Sequence, residues 1–248
     1  MVRYGNTVVL MSSMALFFVI ASSDIGWDVA TATFSGDQGA GTTPCGYGDL
    51  AMPDYGIETT GLSSALFNNG LGCGACYLVM CYNSTLCQPG SVLVTATDFC
   101  APNPSKPPEA GGWCNPPNKH FDLNKPMFLK IAVQGAGIVP VQYRRASCQT
   151  NGGIKFEISG NPGTPYVMNV LVYNVRGAGD VQQVAIKGSQ SNWVQMSQSS
   201  GQNWQTGTQL QGQSLSFQVT TSDGKMLLSD SITPANWHFG QTFEGNQY

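Results

Sequence analysis

Past residue 23 the apolar positions come in short runs. Between Asp24 and Cys148, segments such as Ser91-Val-Leu-Val-Thr-Ala-Thr97 and Gly137-Ile-Val-Pro-Val-Gln-Tyr143 alternate with loops of Gly, Pro and Asn. Runs of this length bounded by turn residues predict strands, and helical periodicity is confined to Thr60–Leu66 and Pro126–Val133. Many short strands with few helices to cover them predict a closed β-barrel. From Ile154 onward a period of two takes over. Ile154, Phe156 and Ile158 point one way, and Leu215, Phe217 and Val219 repeat the pattern before the turn Ser222-Asp223-Gly224-Lys225. That half predicts a β-sandwich. The texture changes at Cys148-Gln149-Thr150-Asn151-Gly152-Gly153, a short polar link where few contacts need cross. The expected fold class is all-β, with domains over 24–150 and 151–248.

The first residues have a different texture. Arg3, an apolar stretch from Val8 to Ile20 broken by Ser12 and Ser13, and the small residues Ala21-Ser22-Ser23 predict a secretory signal peptide over 1–23. A membrane anchor needs about 20 continuous apolar residues, and no later run approaches that length. Secretion changes the reading of the eight cysteines, which all fall between Cys45 and Cys148. An even count in an oxidising compartment predicts four disulfides, although the residues alone leave about 105 pairings open. The spacing Cys73-x2-Cys76-x4-Cys81-x5-Cys87 has the density of a zinc site, but oxidation and the presence of only two histidines, His120 and His238, favour bridges. No metal and no cofactor are expected.

Composition narrows the class of ligand. Charged residues make up 10% of the chain and the net charge is −3, whereas nucleic acid or an anionic membrane requires a basic face. An uncharged hydrogen-bonding surface with 10% aromatics suits a neutral, hydroxyl-rich ligand such as a polysaccharide.

Two carboxylates stand out by position, Asp98 at the end of the strand Val92–Thr97 and Asp122 in His120-Phe121-Asp122. Strand ends beside loops concentrate binding groups, and glycoside chemistry uses two carboxyls flanking one bond. His120 is placed to tune Asp122. The proline-rich segment from Ala101 to Trp113 cannot supply enough backbone donors for a strand or helix, so it predicts a surface loop. Cys100 and Cys114 bracket it, and bridging them would remove about 3 kcal/mol of unfolded-loop entropy. Asn83-Ser84-Thr85 is a glycosylation sequon between Cys81 and Cys87. There is no G-x-S-x-G, no H-E-x-x-H and, if all cysteines pair, no free thiol.

Cys45-Gly-Tyr-Gly-Asp-Leu50, Ala65-Leu-Phe-Asn-Asn-Gly70, Cys73-Gly-Ala-Cys76, Thr95-Ala-Thr-Asp-Phe-Cys100, Gly111-Gly-Trp-Cys-Asn-Pro-Pro117, His120-Phe-Asp122, Gly137-Ile-Val-Pro-Val141, Gly201-Gln-Asn-Trp204 and Phe239-Gly-Gln-Thr-Phe243 follow one another in order. From about Ala32 to the C-terminus the chain resembles a plant α-expansin. The resemblance implies a double-psi β-barrel similar to that of family-45 endoglucanases, followed by an immunoglobulin-like β-sandwich that binds cellulose. It also implies the pairs Cys45–Cys73, Cys76–Cys148, Cys81–Cys87 and Cys100–Cys114. The implied activity is non-hydrolytic loosening of the plant cell wall, outside the cell, by disrupting noncovalent contacts between cellulose and matrix glycans such as xyloglucan. A monomer without nucleic-acid partners or a transmembrane segment is expected.

Carried over residue by residue, the resemblance places Thr33, Asp98 and Asp122 in a groove, with Phe34, Asp37 and His120 beside them. In the second half it marks Tyr166, Trp193 and Trp204 as glycan-contacting rings, with core packing the competing role for Trp204. Two family aromatics are missing: Thr33-Phe34 is followed by Ser35 in place of Tyr, and Ser199-Ser200-Gly201 stands where the family has Trp before Gly. Two further readings compete with wall loosening. An endoglucanase-like hydrolase would need a base opposite Asp122, and Ala30-Thr-Ala-Thr-Phe-Ser35 holds no carboxylate, which leaves Asp98. A purely glycan-binding or signalling protein would have lost barrel function together with the two rings.

Overall fold

A computed structural model of the chain describes residues 26–35, 43–48, 52–161, 163 and 167–248. The expected leader, Asp37 and Tyr166 lie outside these residues. Six strands close into a barrel: β1 (Asp28–Ser35), β2 (Thr59–Leu62), β3 (Cys76–Cys81), β4 (Val92–Phe99), β5 (His120–Asn124) and β6 (Val139–Arg145). Their order around the barrel is β1-β5-β2-β4-β3-β6, with β1–β5 and β2–β4 parallel and the other pairs antiparallel. Alternate positions fill the interior. Tyr77, Phe121 and Tyr143 meet edge-on with centroids 4.9 to 5.9 Å apart, surrounded by Leu62, Val79, Val94 and Leu123.

Among the described residues three short α-helices accompany the barrel: α1 (Met52–Tyr55), α2 (Ser64–Phe67) and α3 (Lys125–Ile131). The third closes one end with Met127, Phe128 and Ile131 buried. The expected helix over Thr60–Leu66 is divided, because β2 takes Thr60 to Leu62 and the helix starts only at Ser64. Pairing with β4 on one side and β5 on the other outweighs the weak helical tendency of a Thr-Gly pair.

The second half forms two sheets, ordered β10-β9-β13-β14 and β11-β12-β8-β7-β15. The strands are β7 (Lys155–Gly160), β8 (Met168–Tyr173), β9 (Val181–Gly188), β10 (Val194–Gln195), β11 (Ser197–Ser200), β12 (Asn203–Thr206), β13 (Leu215–Thr221), β14 (Met226–Ser229) and β15 (Gln241–Glu244). Phe156 and Phe217 stack across the core at 4.4 Å, with Ile154, Ile158, Leu215 and Val219 fully buried beside them. Thr221 and Met226 bound the predicted turn at 222–225 as a β13–β14 hairpin.

All eight cysteines are paired, and the pairs are those implied by the resemblance. The link between the halves differs from the expectation of sparse contacts. Cys45, Tyr47 and Cys73 of the barrel pack with Leu171 and Tyr173 of β8 in a separate apolar cluster. Gly70 abuts Gly201 and Gly74 abuts Gly179, all four at positive φ, so the backbones meet where a side chain would hold them apart. Arg145 pairs with the buried Asp180 and donates to Ala178 O at 2.8 Å. The outer face of β8 presents Leu171 and Tyr173 here, and the barrel cluster covers them.

Candidate functional site

The register of three strands builds the site. Thr33 on β1 is opposite Asp122 on β5, Asp122 is opposite Gly61 on β2, and Gly61 is opposite Asp98 on β4. These four residues form one row across the outer face of the barrel. With strands about 4.8 Å apart, the two aspartate backbones lie roughly 10 Å from each other, and Gly61 contributes no side chain between them. A Cβ at Gly61 would stand 3.6 Å from Asp122 Cβ, so the floor of the row is open because this residue is glycine.

Asp98 reaches the row through an irregularity. Val92, Val94 and Ala96 face the interior, and strict alternation would send Asp98 in after them. The register slips between Thr60↔Ala96 and Gly61↔Asp98, leaving Thr97 as an extra residue that is also buried. The bulge turns Asp98 outward, as bulges near functional sites commonly re-aim a side chain.

Both carboxyls have pKa values raised from the ordinary aspartate value. For Asp122 the main cause is burial, opposed by the Thr33 hydroxyl donating to Oδ1 at 2.9 Å and reinforced by the charge of Asp98. For Asp98 burial again leads, opposed by the Phe99 N–H donating to Oδ1 at 2.8 Å. Two partly buried carboxyls of this kind hold a proton to higher pH than an ordinary aspartate, and in that form they can donate hydrogen bonds to ether and hydroxyl oxygens.

The proline-rich loop forms one wall. Asn115 ties it together: its Nδ2 donates to Asn103 O and Lys106 O, both at 2.9 Å, and its Oδ1 accepts from Asn103 N at 2.6 Å. This side chain replaces the backbone bonds that the prolines cannot make. Between loop and row is a recess of about 100 Å³ lined by Thr33, Asp122, His120, Gly112, Trp113 and Cys114. Larger recesses of about 420 and 280 Å³ lie between the halves of the chain, and neither is lined by Asp98 or Asp122.

The other sequence-predicted positions fall in different surroundings. His120 is 1% exposed at the base of the recess, its ring held between the Thr31 and Thr33 hydroxyls. Cys100 and Cys114 lie near it, but their sulfurs are bonded to each other and both ring nitrogens face threonine hydroxyls, so this grouping offers no metal-ligand set. Phe34 packs against the barrel core, 5.0 Å from Phe128 and with the Lys125 ammonium over its ring, because it continues the inward alternation of Ala30 and Ala32. Trp204 is 3% exposed in the sandwich core, because β12 points Asn203 and Gln205 outward and Trp204 and Thr206 inward. Trp193, by contrast, is 37% exposed, just before β10, with the Lys187 ammonium 5.9 Å from its ring. Ser200 ends β11 as an exposed residue beside Gly201, where the sandwich meets Gly70. Asn83 is exposed between Cys81 and Cys87.

Gly61, Thr31 and Asn115 were not singled out by sequence. For Thr31 a signal was present: Thr31-Ala-Thr33 and His120-Phe-Asp122 share a period of two, and parallel pairing aligns them on one face.

Residues 154–234 match the profile of the expansin C-terminal domain, and residues 59–143 match a barrel profile described as lytic transglycolase. Expansin-A23 of Arabidopsis thaliana is 54% identical over 226 residues, covering 90% of this chain and 80% of the relative. Expansin-A10 of Oryza sativa subsp. japonica is 48% identical over 206 residues, covering 82% and 79%. The crystal structure of apo Clavibacter michiganensis expansin superposes with a TM-score of 0.67 at 18% identity, covering 90% of this chain and 98% of that one. A mutant of that expansin in complex with cellohexaose gives the same score at 16% identity, with the same coverage.

Proposed function

Because the chain belongs to the expansin family, we propose that it loosens plant cell walls by displacing noncovalent contacts between cellulose and matrix glycans such as xyloglucan, without cleaving either polymer. The observation that carries this reading is the open row Thr33–Asp122–Gly61–Asp98. It is a shallow track with raised carboxyls, suited to a long polymer lying across it. The segment leaving Gly61 runs through α2 to Gly70, which abuts Gly201 at the seam with the sandwich. Trp193 on the sandwich extends the glycan-contacting surface. The protein acts outside the cell as a monomer, with no cofactor.

Hydrolysis would need a base that holds a water against the bond opposite Asp122. On β1 the sole carboxylate is Asp28, five residues and roughly 17 Å from Thr33, and it is occupied by Lys119 and Tyr143. Asp98 remains as a candidate base, and its presence in the same row favours the hydrolase as the second reading. Creep of heat-killed wall specimens at acidic and neutral pH, run with assays of reducing-end release and cellulose pull-down, tests both. Creep at acidic pH without new reducing ends supports loosening; new reducing ends establish the hydrolase; cellulose retention alone identifies a binding protein.

A further inference from the structure

Three hydrogen bonds link four side chains in a line that ends in the row. Thr31 Oγ1 is 2.7 Å from His120 Nδ1, His120 Nε2 is 2.8 Å from Thr33 Oγ1, and Thr33 Oγ1 is 2.9 Å from Asp122 Oδ1. Proton counting gives the line a direction. A threonine hydroxyl has one proton, a neutral imidazole has one ring N–H, and an ionised carboxylate has none. With Asp122 ionised, Thr33 gives its proton to Oδ1 and therefore accepts from His120 Nε2–H. Nδ1 is then bare and takes the Thr31 proton. The other tautomer leaves two acceptors facing each other at under 3 Å. Burial favours the neutral ring, pulling its pKa down to about 4.

We propose that His120 is a positioning residue that decides which oxygen of Asp122 carries a proton. By donating from Nε2 to Thr33, it keeps the Thr33 proton directed at Oδ1, so a proton taken up by Asp122 resides on Oδ2. Oδ2 has no hydrogen-bond partner among the described residues, and Asp122 lines the recess. The donor is thereby left free for whatever occupies the row. Protonation leaves the line intact, because Oδ1 still accepts from Thr33.

The surroundings contain few competing charges. Asp98, across Gly61, acts on Asp122 and raises it. The covering loop presents Asn103, Gly111, Gly112 and Trp113 to the recess, all uncharged. Lys119, the chain neighbour of His120, is turned to Asp28. On the β2 side the Ser63 hydroxyl accepts from the His120 backbone N–H at 3.0 Å.

This inference rests on the donor role proposed for Asp122, but its test does not use wall creep, so either can fail alone. Full-length protein labelled with ¹⁵N-histidine and ¹³C-aspartate is titrated from pH 7 to 4.5, with a His238→Gln variant to assign the two rings. The expected result is a single Nε2–H tautomer of His120 throughout, while the Asp122 carboxyl titrates above a free aspartate. Thr33→Val removes the donor to Oδ1 and should move the Asp122 midpoint up by about one pH unit, whereas Thr33→Ser should leave it in place. An Nδ1–H tautomer, an imidazolium forming while Asp122 is still ionised, or an unmoved midpoint in Thr33→Val would overturn the proposal. If Thr33→Val does not fold, the tautomer in the unmutated protein decides.

Discussion

Asp98 and Asp122 share one register partner, Gly61, which Asp98 meets through a parallel ladder and Asp122 through an antiparallel one. A single glycine therefore separates two carboxyls whose pKa values are both raised by burial. Any side chain at this position would stand between them.

Gly61 offers the most direct test of the open row. Its φ is not in the left-handed region and an added Cβ would meet only ordinary contacts of 3.5 to 3.7 Å, so Gly61→Ala should fold with stability within about 1 kcal/mol of the parent. Gly61→Leu should fill the floor and abolish creep while leaving cellulose retention on the sandwich. Full creep in the leucine variant would show that glycan does not cross this row.

Asp122→Asn should abolish acid-induced creep and leave cellulose binding nearly intact. Asparagine preserves size but cannot take up a proton, whereas burial lets Asp122 hold its proton to higher pH than an ordinary aspartate. Creep at half the parental rate or better in this variant would remove the donor role.

Asp98→Asn is a test by stability. Burial raises this carboxyl in the folded chain, so the fold binds its proton more tightly than the unfolded chain does. Stability from this group is then complete below the unfolded aspartate pKa of about 3.9 and is lost as pH rises through the higher folded value. Asp98→Asn should raise Tm at neutral pH, with the gain gone by about pH 3. A Tm difference that does not change with pH would assign the effect to packing.

The seam between the halves predicts a contrast between two glycines of similar backbone geometry. Gly74 has φ +83° and a Cβ there would fall 2.7 Å from Gly179 O, whereas Gly224 has φ +78° and nothing within 4 Å. Gly224→Ala should cost about 1 kcal/mol of backbone strain, and Gly74→Ala should cost about 3 kcal/mol or more in urea unfolding. Equal losses would mean that the seam yields without resistance.

Ser200→Trp should strengthen cellulose retention by about tenfold. Half a tryptophan stacked on sugar buries about 80–100 Å² of apolar surface, worth roughly 2 kcal/mol, and about 1.4 kcal/mol corresponds to a decade of affinity. An unchanged binding isotherm would place Ser200 off the glycan-contacting face.

By itself the sequence determined the all-β texture, the change of pattern after Cys148 and the β13–β14 hairpin, because these follow from local periodicity and turn chemistry. Position along the chain marked Asp98 and Asp122, and the motifs, through their resemblance to a family, implied the cysteine pairs. Trp204 could have been assigned to the core from the Asn-Trp-Gln-Thr alternation, which gives the polar pair to solvent. Tertiary structure decided the rest. Thr60 became a strand residue because β4 and β5 flank it, and the halves joined because β8 offered an apolar face to Tyr47 and Cys45. His120 sank behind the row because a disulfide-closed loop folds over it. The period of Val92, Val94 and Ala96 pointed Asp98 into the barrel, and only a register slip against β2 turned it out to face Asp122. A slip of that kind depends on the partner strand, so no periodicity within β4 could reveal it.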